Sequence, residues 1–196
     1  MDASQFKKGY IAFQTHEARD SMYKTATFLV DTFWGKPKEM SDSLGVLLLT
    51  WNHAFYRYGL FDFNALEKCI ALNQKMLDKY RDRNILNYIQ DENEEINFLY
   101  SQFLEALQIA NGRLAGRRSP VAVAKGLHLL APSFFPLWDD KIAKAYKCHY
   151  KYTSFMHEMK KLAEFLALEV DTQIMGKTLL KLIDEYNYAK FTKGWI

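Results

Sequence analysis

The stretch Asn111–Tyr146, NGRLAGRRSPVAVAKGLHLLAPSFFPLWDDKIAKAY, decides the fold because its glycines, prolines and caps outline successive helices. Ser119 followed by Pro120 is typical of a helix start, with the serine as N-cap and the proline at the first helical position. This helix is predicted to end near Leu130. A short loop then leads to Asp139, after which another short helix is expected. The stretch therefore predicts a tight turn, a helix, a loop and a second helix.

The remainder of the chain is also predicted to be helical. Nine glycines and four prolines interrupt its 196 residues, which favours long regular elements over many short strands. Helices are expected at about 16–33, 41–58, 65–80 and 94–109, and in two amphipathic segments near the end, because apolar residues recur at intervals of three and four. The sequence predicts an all-α fold over residues 1–196, either one compact helical domain or two closely packed helical lobes.

The composition is that of a folded protein with a sizeable core. Hydrophobic residues make up 49% of the chain and charged residues 25%, so disorder is not expected. Cys69 and Cys148 form no CxxC pair and are expected to be free thiols in a reducing compartment. The polar start lacks an export signal, and the apolar run 46–49 is far shorter than the roughly 20 residues that span a bilayer. We expect a cytoplasmic monomer that does not bind membranes.

Motifs for a bound metal or cofactor are not visible in the sequence. His157-Glu158 begins a zinc-protease pattern, but residue 161 is Lys rather than His. The five histidines show no metal-ligand spacing, and two cysteines cannot hold a four-cysteine iron–sulfur cluster. Walker, GxGxxG and GxSxG motifs are also missing. If the protein is an enzyme, we expect it to work without a cofactor or a metal.

The charge is unevenly distributed along the chain. Residues 106–161 hold 10 basic and 3 acidic residues, a net charge of +7, whereas residues 1–105 carry a net −3. A basic segment of this kind is a candidate footprint for the phosphate backbone of a nucleic acid. The alternative is a solvated basic face, which is the usual meaning of a charge run.

The segment at about 111–147 resembles the helix-hairpin-helix DNA glycosylases, particularly their oxoguanine-glycosylase-like branch. In that family a hairpin of the type L-P-G-V-G precedes a helix, and a catalytic aspartate follows at the end of the next loop. Here Leu114-Ala115-Gly116-Arg117-Arg118 occupies the hairpin and Phe135-Pro136-Leu137-Trp138-Asp139 the loop. The resemblance covers about 35 of the 196 residues, and Arg118 replaces the second hairpin glycine.

The resemblance implies a DNA glycosylase that hydrolyses the N-glycosidic bond of a damaged or modified base, in repair or in defence against modified foreign DNA. Pro120 falls on the slot of the family's Schiff-base lysine. Proline cannot form an imine, so a monofunctional enzyme is expected. Lys125 could substitute for that lysine only if it points into the same pocket.

The turn before the second helix is the predicted DNA-binding element. A tight turn that enters a helix offers backbone N–H groups and the positive end of a dipole, so it can bind a phosphate without reading sequence. A glycine lets the backbone approach the phosphate closely, and basic or hydroxyl side chains add to the grip. The residues expected to bind DNA are Gly116, Arg117, Arg118, Ser119 and Lys125.

Asp139 is the predicted catalytic residue. Glycosidic cleavage passes through an oxocarbenium-like state, which a nearby carboxylate stabilises while it orients or deprotonates water. The alternative is that Asp139 only caps the following helix, and both roles are compatible because a cap has a fixed direction. Asp140 is the neighbouring alternative, expected instead in the first helical turn.

A base pocket is predicted from Trp51, Asn52, Tyr56 and Trp138. Aromatic faces stack on an extruded base, and an asparagine can read its Watson–Crick edge. The alternative is an aromatic core helix with a polar edge. His128 is expected to be a core histidine rather than a catalytic base.

Two other functions remain compatible with the sequence. A non-catalytic helical DNA-binding module would bind DNA in a salt-dependent way without releasing a base. A protein-interaction domain would bind no nucleic acid and would expose an apolar patch.

Overall fold

The computed structural model describes residues 3–17, 20–148, 150–168 and 177–196, and leaves 1–2, 18–19, 149 and 169–176 outside the description. The described residues form α-helices, two short 3₁₀ turns at Ile85–Asn87 and Gln90–Glu92, and a C-terminal π-helix at Tyr188–Lys193. No strand occurs among them, so the all-α prediction is confirmed. The α-helices are α1 (Ala3–His16), α2 (Ser21–Thr32), α3 (Pro37–Trp51), α4 (His53–Tyr56), α5 (Phe63–Arg81), α6 (Asn93–Ala106), α7 (Pro120–Leu130), α8 (Asp140–Ala145), α9 (Tyr152–Ala167) and α10 (Leu179–Asn187).

Side-chain caps start several of these helices where the sequence predicts them. The Ser119 hydroxyl accepts a hydrogen bond from the Ala122 backbone N–H at 3.2 Å, and Pro120 occupies the first turn of α7. Asp62 caps α5 in the same way, and Asp139 caps α8. Each cap satisfies one of the backbone donors that a helix N-terminus leaves without an intrahelical partner.

The first third of the chain departs from the prediction. Helix α1 was not predicted, because its apolar residues are sparse; Phe6, Gly9 and Phe13 nevertheless lie on one buried face at intervals of three and four. Pro37 was expected to follow the end of a helix, but it stands in the first turn of α3. Proline has a suitable φ and no N–H to leave unpaired there, so it favours a helix start as much as a helix end.

Contacts between the helices divide them into two sets. Helices α2, α3, α5, α6 and α7 pack on one another, and α1 packs against α10 and the π-helix, which also contacts α8. Helix α9 joins the sets, since it contacts α10 on one side and α6 on the other. The described helices therefore form two groups that α9 connects.

The loop between α7 and α8 is anchored in the core. Phe134 and Phe135 are completely buried, and the Phe134 ring stacks on Tyr80 with 4.7 Å between centroids. Trp138 is also buried, with its ring centroid 5.2 Å from that of Phe155. Because large aromatic side chains fix the loop at three points, the position of the following residue, Asp139, is fixed as well.

The turn between α6 and α7 folds back on itself through backbone hydrogen bonds. The Gly116 N–H donates to the Ile109 carbonyl at 2.8 Å, and the Ile109 N–H donates to the Arg117 carbonyl at 2.9 Å. Gly116 has a φ of +81°, in the left-handed region that favours glycine. The Gly116 N–H is therefore used inside the turn, and the neighbouring side chains are what the turn presents outward.

We expect Gly116→Ala and Gly126→Ala to change stability in opposite directions. A Cβ at Gly116 would meet nothing within 4 Å, so its cost is the left-handed backbone alone, about 1–2 kcal/mol. Gly126 lies inside α7, where a Cβ would make an ordinary 3.8 Å contact with Leu107, and alanine should stabilise the helix by about 0.5–1 kcal/mol. Urea unfolding measures the change in the free energy of unfolding for each variant. A change of the same sign in both variants would contradict the left-handed backbone at Gly116.

Candidate functional site

A cleft of about 610 Å³ lies where the two sets of helices meet. One wall comes from Asn52 and α4 and from the turn and first half of α7, and the other from the start of α8 and from the π-helix. Seven candidate residues from the sequence analysis line it together: Asn52, Arg117, Arg118, Ser119, Lys125, Asp139 and Asp140. Segments up to 140 positions apart in the chain, from Asn52 to Thr192, therefore meet in one cleft.

Asp139 is held at the start of α8 by hydrogen bonds to both carboxylate oxygens. Oδ1 accepts from the Ile142 backbone N–H at 2.8 Å, which is the helix cap. Oδ2 accepts from the Thr192 hydroxyl at 2.5 Å. The side chain is half-buried, and the residue faces the cleft. These two hydrogen bonds hold the Asp139 carboxylate in a defined direction at the cleft.

Lys125 reaches the same cleft from the middle of α7. Its Nζ donates to the Trp51 backbone carbonyl at 2.9 Å and lies 5.1 Å from the centroid of the Trp51 ring. Burial lowers the pKa of Lys125 to about 8, although the nearby Asp184 and Asp139 carboxylates act in the opposite direction. A substantial fraction of this amine is therefore unprotonated at slightly alkaline pH.

The arginines of the turn are exposed at the mouth of the cleft. Arg118 forms an ion pair with Glu105, and both side chains are about half-exposed, so the pair contributes little to stability and is free to exchange for another anion. Ser119 is buried and accepts a hydrogen bond from the Asn52 side-chain amide at 3.3 Å, in addition to its role as cap. Asn52 thus joins the end of α3 to the turn rather than standing free to read a base.

The predicted base-pocket residues separate in the structure. Tyr56 is buried and donates its hydroxyl proton to the Leu107 carbonyl at 2.8 Å. Trp138 is buried and donates from Nε1 to the Pro120 carbonyl at 3.1 Å. Both are core residues outside the described cleft linings, so assigning them to a base pocket needs correction. Their aromatic spacing reflects packing, and each polar atom is satisfied by a backbone carbonyl.

Trp51 instead lines a second cavity, of about 540 Å³, and its backbone carbonyl accepts from Lys125. Aromatic and acidic side chains surround this cavity, among them Phe13, Tyr188, Asp20 and Asp184. Burial raises the pKa of Asp184 to about 6, despite the opposing effect of Lys181. This cavity has flat rings and hydrogen-bond acceptors, the features expected of a pocket for a heterocyclic base.

A buried ion cluster forms the floor beside this second cavity. The Lys181 Nζ lies 3.0 Å from an Asp20 carboxylate oxygen and 3.6 Å from an Asp184 oxygen. Its neighbour His128 lies between the Tyr23 hydroxyl, at 3.0 Å, and the Phe135 carbonyl, at 2.7 Å. Burial lowers the pKa of His128 to about 3, so the ring is neutral at physiological pH and acts as a core histidine.

Sequence reasoning missed Thr192 and Lys141, which also line the first cleft. Lys141 donates to the Thr192 backbone carbonyl at 2.8 Å, across 51 positions of the chain. No local pattern marks such a pair. The basic run 106–161 hinted at Lys141, but nothing in the sequence pointed to Thr192.

Metal and membrane features were also sought in the described residues. Within those ranges, no group of three or more His, Cys, Asp or Glu side chains is arranged to hold a metal ion. Nor does any helix in the described part of the chain combine the length and apolar character needed to cross a membrane.

Comparison with protein-family models, with curated proteins and with solved structures finds no match to this chain. What the cleft can do is therefore inferred from its own side chains. These are a fixed carboxylate, a lysine with a lowered pKa and a turn bearing two exposed arginines.

Proposed function

We propose that this chain is a DNA N-glycosylase that removes a damaged or modified base by hydrolysis. Support comes from one observation above all: Asp139 and the arginine-bearing turn line the same cleft. An oxocarbenium-like sugar bound there would lie beside a carboxylate, while the adjacent phosphates would lie beside Arg117 and Arg118. The resemblance to helix-hairpin-helix glycosylases rests on these same residues.

The turn and the basic segment supply the grip on DNA. Extruding a nucleotide from the duplex costs a few kcal/mol, which contacts to the phosphate backbone must offset. Arg117 and Arg118 are exposed, and Arg118 is paired only with a surface carboxylate, so both can turn toward a phosphate. Lys141 lines the opposite side of the cleft. A sugar bound in the cleft would therefore have cationic side chains on both sides.

Asp139 would carry the chemical step. The bond between C1′ and the base nitrogen breaks with its electron pair going to the base, and positive charge develops on the sugar. The carboxylate stabilises this charge, and a water molecule then adds to C1′. The water gives up a proton to Asp139, which passes on to solvent while the base anion is protonated. The product is an abasic site.

The extruded base would enter the second cavity, past Trp51. This aromatic ring forms a wall of that cavity and is in contact with Lys125, which lines the first cleft. Lys125, which lines the first cleft, donates to the backbone carbonyl of Trp51, which lines the second cavity, so the two linings are in direct contact. A nucleotide could then have its sugar in the first cleft and its base in the second.

Base release is tested with duplexes that each carry one modified base, such as uracil or 8-oxoguanine, followed by alkaline cleavage of abasic sites. We expect Asp139→Asn to slow release about 100-fold or more, because the charge that stabilises the transition state is lost while asparagine still caps α8. Asp140→Asn is the matched control from the same cleft and should retain activity, since the Asp140 carboxylate is exposed, accepts from the Tyr150 hydroxyl and does not cap α8. Full activity of the Asp139 variant would remove this residue from the mechanism.

Binding to DNA separates the proposal from the two other functions. Replacing both Arg117 and Arg118 by alanine should weaken binding and lower the slope of log Kd against log salt by about 2, near 0.9 per phosphate contact. Lys7→Ala with Lys8→Ala removes the same charge from exposed positions on α1 and should leave the slope unchanged. If the arginine and lysine double variants lowered the salt slope equally, DNA would bind to a diffuse basic face rather than to the turn. Binding without base release would favour a non-catalytic module, and no binding at low salt a protein-interaction domain.

A second activity is favoured by the position of Lys125, which lines the cleft beside Asp139. An unprotonated amine there can add to the C1′ aldehyde of an abasic site, and the adduct loses water to form an imine. This route would bypass the proline at position 120. It would turn a monofunctional hydrolase into an enzyme that also processes its product.

Borohydride trapping on a duplex with a preformed abasic site tests this activity without requiring base release. We expect a covalent adduct whose yield rises from pH 6 to pH 8, because the pKa of Lys125 is lowered to about 8 and only the unprotonated amine reacts. Lys125→Arg should abolish the adduct, and Lys141→Arg, a second cleft lysine, should retain it. An equal yield with Lys125→Arg would exclude this role.

A further inference from the structure

We propose that Thr192 is a positioning residue for Asp139, fixing its carboxylate so that the free lone pairs face the cleft. This inference rests on the proposed glycosylase function. The hydroxyl of Thr192 donates to Asp139 Oδ2 at 2.5 Å, while the Ile142 N–H donates to Oδ1 at 2.8 Å. With one donor on each oxygen, the carboxylate plane cannot rotate without breaking a hydrogen bond. An ionised carboxylate has about four acceptor sites, so two remain for water and the sugar.

Thr192 orients the carboxylate without neutralising it. A lysine or arginine in the same place would pair with the negative charge that the oxocarbenium-like state needs, whereas a hydroxyl is a neutral donor. Among the ion pairs of the described residues, none involves Asp139. The charge of Asp139 is thus left available to a ligand.

The two lysines of the cleft are held by backbone carbonyls instead. Lys141 donates to the carbonyl of Thr192 at 2.8 Å, and Lys125 donates to the carbonyl of Trp51 at 2.9 Å. Thr192 therefore contributes twice: its hydroxyl donates to the Asp139 carboxylate, and its carbonyl accepts from the Lys141 ammonium group. Because both lysines donate to backbone carbonyls, neither forms an ion pair with Asp139.

The segment that carries Thr192 is itself anchored at both ends. It lies in the π-helix, a rare conformation that recurs at functional sites. At one end, the Tyr188 ring contacts Phe13 of α1 with centroids 5.9 Å apart. At the other end, the Trp195 ring stacks on His16 with 4.3 Å between centroids, and the Trp195 backbone N–H donates to the Ala189 carbonyl. The hydroxyl is thus presented by a fixed support rather than by a loose chain end.

The test compares Thr192→Val, which keeps the shape and removes the hydroxyl, with Thr192→Ser, which restores it. We expect the valine variant to lower the single-turnover rate of base release about 10- to 100-fold, on the duplex that wild type processes best, with unchanged DNA affinity. The serine variant should recover most of the rate. Thr32→Val is the matched control, since the exposed Thr32 hydroxyl bonds only within α2, to the Phe28 carbonyl. Its rate should equal that of wild type.

A wild-type rate for Thr192→Val, or no recovery with Thr192→Ser, would overturn the inference. Thermal unfolding of each variant ensures that the rates are those of folded protein. Failure of the proposed function itself would appear differently, as no base release by wild type on any duplex. The inference is then decided by the NMR signal of the Ile142 amide, which should move in Thr192→Val and stay in Thr192→Ser. An unmoved Ile142 signal in the valine variant would contradict it.

Discussion

The fixed carboxylate of Asp139 is the interaction on which the site depends. Its two oxygens are bound by donors from different parts of the chain, the Ile142 N–H three residues ahead and the Thr192 hydroxyl 53 residues ahead. The first bond belongs to a helix cap and follows from local sequence. The second joins α8 to the C-terminal π-helix and closes one wall of the cleft. A carboxylate held in this way needs little reorganisation when charge develops next to it.

The aromatic loop behind Asp139 makes that geometry rigid. Phe134, Phe135 and Trp138 are buried immediately before the aspartate, so the chain enters α8 from a packed core rather than from a mobile surface loop. The polar atoms of this region are satisfied by backbone carbonyls, as in the bond from Trp138 Nε1 to Pro120. That bond also ties the loop to the first turn of α7. Core packing therefore sets the distance between the turn and the carboxylate.

Local chemistry explains which parts of the structure could be predicted. The cap and proline of α7 and the cap of α8 are recognised from a few adjacent residues, and both are found as expected. The shared cleft of Arg117, Arg118 and Asp139 was an expectation from the family resemblance and does not follow from these local signals. Helix α1 was missed because it buries only Phe6, Gly9 and Phe13, a stripe too sparse to stand out in a polar segment.

Contacts between distant segments explain the errors. Tyr56 and Trp138 were assigned to a base pocket because aromatic spacing along a helix looks the same for a core and for a pocket. Only the fold reveals that their polar atoms point to backbone carbonyls. Thr192 was missed because a single threonine forms no sequence pattern that would mark it as a site residue.

Helix geometry explains why Lys125 shares a cleft with a turn that ends six residues earlier. Side chains on a helix lean toward its N-terminus, and residues four apart lie on one face, so Lys125 extends over Val121, which also lines the cleft. Five residues of helix rise about 7.5 Å, a distance that a long lysine side chain largely covers. An amine at position 120 would reach the cleft directly, whereas Lys125 reaches it along the helix surface and is desolvated on the way. Burial lowers the pKa of Lys125, whose ammonium lies 5.1 Å from the Trp51 ring centroid, and this separates its chemistry from that of an exposed lysine.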